Sequence, residues 1–145
     1  MYKRQELIVQ KLTEIGINSI TFRPSERSII KERNTKKEER LLKIAKEAVE
    51  QSRWRELPQI SFSETPENTI TWWKIIIFDA NEKKNSSPAK QQENIYGIVG
   101  PEWWLTKKDY ARFDYYNPEI FTLWETILRT ETAAIIWWWI LKNYL

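Results

Sequence analysis

The 145 residues include no cysteine and no histidine. The first absence excludes disulfides and thiolate metal sites. The second removes the commonest general base and the commonest zinc ligand. Chemistry on this chain must therefore use carboxylates, Lys, Arg, Tyr, backbone amides or a bound cofactor, and no metal is expected. Long apolar runs are also missing. The longest, Ala133–Leu141, has nine residues, whereas a membrane span needs roughly 20. The start is polar and shows no signal-peptide pattern, so a cytoplasmic protein without a membrane partner is expected.

Glycine is the next shortage. There are 3 Gly, where average usage of about 7% would give roughly 10. The surplus lies in tryptophan, with 9 residues, so Trp is abundant by about the amount that Gly is short. The Trp residues cluster as Trp72-Trp73, Trp103-Trp104 and Trp137-Trp138-Trp139. Trp pairs in exposed loops work against solubility, whereas Gly pairs there are ordinary because Gly reaches positive φ without a steric cost. Two readings follow. In the first, tryptophan stands at UGA codons that the source organism reads as glycine, as some bacteria do; the many Lys, Ile and Asn residues fit an AT-rich genome. Alternatively, the domain uses its Trp residues for packing.

What remains is a globular composition, with 41% hydrophobic and 30% charged residues, and a length suited to one domain. The net charge of +3 hides an asymmetry. Residues 1–55 carry 14 Lys and Arg against 8 Asp and Glu, and residues 56–145 carry 9 against 12. A basic half suits a phosphate-rich partner. It also suits a plain solvated helix face.

Hydrophobic periodicity predicts a helix over Glu6–Ile15, with Leu7, Ile8, Leu12 and Ile15 on one face and Gly16 at its stop. A strand follows over Ile17–Phe22. After a polar stretch, Lys37–Ser52 is a helix with Leu41, Leu42, Ile44, Ala45, Ala48 and Val49 in one stripe, ending before Pro58. Lys74–Phe78 and Ile95–Val99 are short apolar runs of the buried parallel-strand kind, separated by a polar loop. Thr106 and Asp109 have capping-box spacing and open a helix through Tyr115. Phe121–Leu123 is a short strand and Thr130–Asn143 a final helix. Alternating strands and helices imply an α/β domain with a largely parallel sheet.

Three segments carry chemistry: GPEWW at 100–104, LWETILRTETAA at 123–134 and EAVEQS at 47–52. With glycine read for each Trp, the first two become GPEGG and LGETILRTETAA. In that form they resemble the signature loops of the ribosomal RNA small subunit methyltransferase E family. ELIVQKLTEIGI at 6–17 and SERS at 25–28 are also similar to family stretches, so the resemblance runs from about residue 6 to 140. Trp103, Trp104 and Trp124 stand where the family pattern has Gly, which favours the codon reading at these sites.

The resemblance implies an α/β fold of the SPOUT class: a mostly parallel sheet with helices on both faces and a deep C-terminal trefoil knot. It implies methylation of N3 of a uridine in 16S rRNA, with S-adenosyl-L-methionine as cofactor, and a homodimer. It assigns cofactor binding to Val99, Gly100, Pro101, Glu102, Trp103, Leu123, Trp124, Ile127 and Leu128. Gly-rich turns at strand ends let backbone groups approach a ligand, and open α/β sheets bind ligands at those ends. Arg129 is the candidate catalytic residue and an RNA contact, since its planar fork suits phosphate or a base edge; pairing with Glu131 or Glu102 is its bland alternative. Glu102 would orient a loop rather than act as a base. Glu131 reads as a first-turn helix charge. Arg27 is a second candidate RNA contact, or a solvated loop residue. No general base is assignable, so positioning must supply the acceleration.

The resemblance also implies an N-terminal barrel domain of the PUA type, which is expected to be absent from these residues. Met1–Gln5 matches what a sequencing-library transposase adapter encodes in frame, so residues 1–5 are expected to be a non-native leader and residues 6–145 the methyltransferase domain. Two other classes stay open. A non-catalytic RNA-binding module of the same fold would stack bases on real Trp residues. An interfacial protein would use Ile135–Leu141 as an aromatic anchor.

Overall fold

The computed structural model describes residues 2–23, 34–62, 73–79, 94–100, 105–122 and 127–144. The first helix, α1, spans Tyr2–Ile15. It starts four residues before the expected Glu6, because Lys, Arg and Gln are good helix formers and Arg4 reaches Glu131, its Nε lying 3.8 Å from Oε1. The buried stripe is Ile8, Val9, Leu12 and Thr13, while Leu7 is 39% exposed. Thr13 is tolerated inside because its hydroxyl donates to the Val9 carbonyl at 2.6 Å. Gly16, at φ +85°, ends the helix, and the Ile17 N–H returns to the Leu12 carbonyl at 3.0 Å. That is the six-to-one bond of a Schellman turn. It uses Ile17, so β1 is only Ser19–Phe22.

Asn34 caps α2, Thr35–Ser52, its Oδ1 accepting from the Lys37 N–H at 3.2 Å. Leu41, Ala45 and Ala48 are buried, and Leu42 is outside the stripe, half-exposed. Arg53, in the left-handed region at φ 57°, stops the helix. A strand that the pattern did not predict, β2 at Gln59–Phe62, pairs in parallel with β1, with Phe22 opposite Phe62. Its two apolar residues, Ile60 and Phe62, make a weak signal, and the pairing and the stacked Phe22–Phe62 rings at 5.5 Å supply what the pattern lacks.

A second sheet holds β3 (Lys74–Phe78), β4 (Ile95–Val99) and β5 (Glu119–Phe121). Its order is β4-β3-β5, all parallel. β5 begins two residues earlier than expected, and Leu123 lies outside the described residues. Lys74 and Glu119 pair across the amino ends at 2.9 Å. Because side chains alternate along a strand, β3 feeds two cores. Ile75 and Ile77 pack with Phe113, Leu105, Tyr110 and Ile120. Ile76 and Phe78 pack with Trp137 and Leu141.

The first face is covered by α3 (Lys107–Ala111) and a 3-10 turn at Asp114–Tyr116. The second is covered by α4 (Thr130–Tyr144). Helices therefore flank both faces of this sheet. The capping box is present: the Asp109 N–H donates to Thr106 Oγ1 at 3.2 Å, and the Thr106 N–H to Asp109 Oδ2 at 2.9 Å. The helix is shorter than expected, because the chain tightens so that Phe113 is buried. Ala134 joins α4 to a third core of Ile8, Val9, Leu12, Ile17, Ile20, Leu41 and Ala45. At its far end, Lys142 donates to the Gly16 carbonyl at 2.8 Å and lies 4.2 Å from the Trp54 ring centre. Burial there pushes its ammonium pKa below the ordinary value.

Candidate functional site at the carboxyl ends of the second sheet

Three parallel strands place three carboxyl ends on one edge. The chain leaves β3 for β4 on one side, then crosses to β5 on the other. That reversal at β3 is a topological switch point, where open α/β sheets form their ligand crevice. The residues meeting there are Asp79 after β3, Val99 and Gly100 at β4, and Phe121 and Thr122 at β5.

Two of the signature segments come together at this edge. The Thr130 hydroxyl, opening α4, donates to the Gly100 carbonyl at 3.1 Å. GPE and ILRTETAA, distant in sequence, are thus joined by one bond. A Cβ on Gly100 would lie 3.0 Å from Leu105 Cγ, so the close turn leaves little room for any other residue. Of the remaining candidates, Val99 and Leu128 are half-buried, and Ile127 and Arg129 are exposed. Pro101, Glu102, Trp103, Leu123, Trp124 and Arg27 lie outside the described residues.

Arg129 forms no ion pair with any described residue. Its suggested partner Glu131 is buried, facing α1 and Arg4. One Glu131 oxygen, Oε2, is buried without a hydrogen-bond partner among the described residues. The first-turn position holds, but the carboxylate serves the α1–α4 seam more than the helix dipole alone.

Three residues at the crevice were not singled out from sequence: Asp79, Tyr110 and Thr122. The Tyr110 hydroxyl, from α3, donates to Asp79 Oδ2. The Thr122 hydroxyl donates to the Asp79 carbonyl. The Asp79 N–H donates to the Phe121 carbonyl at 3.3 Å. A carboxylate directly after a buried strand was the available signal; its partners, 31 and 43 residues away, left none.

Elsewhere, a cleft of about 590 Å³ runs between α1 and α2, lined by Lys3, Glu6, Lys11, Glu14 and Glu47 among others. Its charges alternate and it does not border the strand ends, so it lacks the convergent polar groups of a small-molecule site. Among the described residues, no group of three or more acidic, His or Cys side chains could hold a metal, and no helix is long and apolar enough to cross a membrane.

The tryptophans divide. Trp137 is 5% exposed, stacked on Phe78 at 4.3 Å and edge-on to Phe121 at 4.8 Å. Trp138 packs against Gly97, and Trp139 is 47% exposed. An aromatic anchor needs the whole run exposed, and Trp137 is core. Trp72, Trp103, Trp104 and Trp124 lie outside the described residues.

Residues 2–142 match the RNA methyltransferase domain family. The chain is 30% identical over 146 residues to the ribosomal RNA small subunit methyltransferase E of Bacillus subtilis (strain 168), covering 90% of this chain and 57% of that protein. Among solved structures, the enzyme of the same name from Neisseria gonorrhoeae, bound to S-adenosyl methionine, matches with a TM-score of 0.81 and 25% identity, over 97% of this chain and 61% of that one. A Legionella pneumophila protein solved with the bound cofactor SAM gives a TM-score of 0.81 and 26% identity, over 96% and 60%. The chain thus spans less than two thirds of each relative's length.

Proposed function

The chain belongs to the RNA methyltransferase domain family, and from that membership we propose that it is the S-adenosylmethionine-binding domain of an enzyme that methylates N3 of a uridine in 16S rRNA. The observation that carries the reading is the Thr130–Gly100 bond, which unites the two signature segments at the switch-point crevice. The fit is supported by Gly100, where a Cβ would press on Leu105, so the packing at this strand end favours a residue without a side chain. Relatives bound to S-adenosyl methionine support the same cofactor.

In this reading Val99, Gly100, Pro101, Glu102, Trp103, Leu123, Trp124, Ile127 and Leu128 are the positions that would hold the cofactor, which supplies a methyl group on a sulfonium centre. The chain's own contribution is positioning, worth up to roughly 7–11 kcal/mol for well-oriented reactants. Arg129, exposed beside the crevice, contacts RNA phosphate or the target base through its planar fork. Arg27 is a second RNA contact. The acceptor of the N3 proton is not assigned to a side chain.

Three further features belong to the proposal. The C-terminal segment forms a deep trefoil knot, which a crystal structure without a threaded loop after Gly100 would disprove. The active form is a homodimer in the cytoplasm. Trp139, exposed on α4, and half-buried Ile135, Ile136 and Ile140 leave that helix apolar on a second face, which a second copy can cover; a monomer in light scattering counts against it. The small ribosomal subunit is the substrate partner.

The test is isothermal titration with S-adenosylmethionine of two proteins: the chain itself and a variant carrying Trp103→Gly, Trp104→Gly and Trp124→Gly. The variant is expected to bind, and the unaltered chain to bind far more weakly, because an indole in place of glycine in the signature segments adds bulk that the cofactor would have to displace. Equal affinity refutes the codon reading at these sites. No binding by either refutes the cofactor reading. The 145-residue variant alone should methylate 16S rRNA poorly, since its relatives use a longer chain.

A further inference from the structure

We propose that Asp79 is a positioning residue that fixes both strand ends flanking β3 and so sets the width of the crevice; this rests on reading that crevice as the cofactor site. The argument begins from topology. Asp79 follows the central strand at the point where the connection reverses. Its neighbours on either side, β4 and β5, come from distant parts of the chain.

Asp79 bonds to three different groups. Its carboxylate accepts the Tyr110 hydroxyl from α3. Its carbonyl accepts the Thr122 hydroxyl just past β5. Its N–H donates to the Phe121 carbonyl. A hydroxyl bonded to an ionised carboxylate is roughly twice as strong as a neutral pair, and a tyrosine ring has few rotamers to lose.

The tie is transmitted along a short path. The Thr106–Asp109 capping box makes α3 a rigid unit. Leu105, directly before it, lies against the Gly100 turn. Gly100 in turn holds Thr130 and the start of α4. Asp79 to Tyr110, Leu105, Gly100 and Thr130 is therefore a continuous chain of contacts around one side of the crevice, and Asp79 to Thr122 closes the other side. Misplacement of about 1 Å in such a frame can cost on the order of a hundredfold in function, so the residue acts through what it holds.

The test uses Tyr110→Phe, Asp79→Ala and Asp79→Asn, each in the chain itself and in the glycine-bearing variant above. S-adenosylmethionine affinity of that variant should fall about tenfold with Tyr110→Phe or Asp79→Ala, the effect of one lost charge-assisted bond. Asp79→Asn should lose only about threefold, because its amide oxygen still accepts from Tyr110 but without the charge. The double variant Asp79→Ala with Tyr110→Phe should lose no more than either single one. Unchanged affinity in Tyr110→Phe overturns the proposal, even if its melting temperature drops. If no form binds, the cofactor reading has failed instead, and hydrogen exchange in the chain itself decides the tie. Faster exchange at the amides of Asp79 and Phe113 in Tyr110→Phe supports it, and unchanged exchange overturns it.

Discussion

Replacing Trp137 by Gly should bring the protein close to unfolding, whereas the same change at Trp139 should be tolerated. Trp137 is 5% exposed and Trp139 is 47% exposed. A buried Trp removes roughly 150–250 Å² from water, which at about 25 cal/mol per Å² is worth about 4–6 kcal/mol. The ring contacts with Phe78 and Phe121 add about 0.5–1.5 kcal/mol each. Measured Trp truncations cost about 3–5 kcal/mol, and a helix-interior Gly a further ~1 kcal/mol. We therefore expect a loss of about 4–6 kcal/mol at position 137, against a total stability of roughly 5–15 kcal/mol. At position 139, with half the ring already in water, the loss should be about 2 kcal/mol, half of it helix propensity. Urea unfolding followed by far-ultraviolet circular dichroism measures both without relying on tryptophan emission. Equal midpoints for the two variants, or a loss below about 2 kcal/mol at position 137, would refute the assignment of Trp137 to the core. The result also bears on the codon question, because, of positions 137 and 139, the second alone could carry glycine without a large cavity.

Gly97→Ala should destabilise by about 1–3 kcal/mol, since a Cβ there lies 2.8 Å from Trp138 Cζ2 and 3.0 Å from Phe78 Cε2; Trp138→Leu in the same chain should recover most of that loss in a thermal melt. Arg129→Ala should leave stability within about 0.5 kcal/mol because the side chain is exposed. In filter binding to 16S rRNA it should lower the slope of log affinity against log salt by about one, and an unchanged slope removes Arg129 from the RNA contact. Thr130→Val should cost about 1 kcal/mol through the lost bond to Gly100 and weaken S-adenosylmethionine binding, with Thr130→Ser restoring both.

The elements with their own periodicity were legible. Lys74–Phe78 and Ile95–Val99 are strands at the residues the apolar runs mark, and α2 and α4 follow their stripes to within two residues. Local chemistry was equally readable: the Thr106–Asp109 box and the Gly16 stop depend on neighbours within five positions. The family followed from short strings, since GPE and ILRTETAA need only be read in order. β2 was not read because Gln59–Phe62 holds only two apolar residues, and its pairing with β1 is what makes it a strand. The early start of α1 was invisible because it is settled partly by Arg4 meeting Glu131 in another helix.

The sequence by itself therefore determined the alternation of strands and helices, the exclusion of thiol and imidazole chemistry, and the strings that mark the family. Those properties reside in single residues or in spacings shorter than a helix turn or two. Tertiary structure alone decided that β3 lies between β4 and β5, that Trp137 is core while Trp139 faces outward, and that Glu131 turns to Arg4 instead of Arg129. It alone brought Tyr110 and Thr122 to Asp79. The reason is physical: a hydrogen bond between residues 31 or 43 positions apart depends on how the strands are ordered, and strand order is a global minimum over all the packing faces at once.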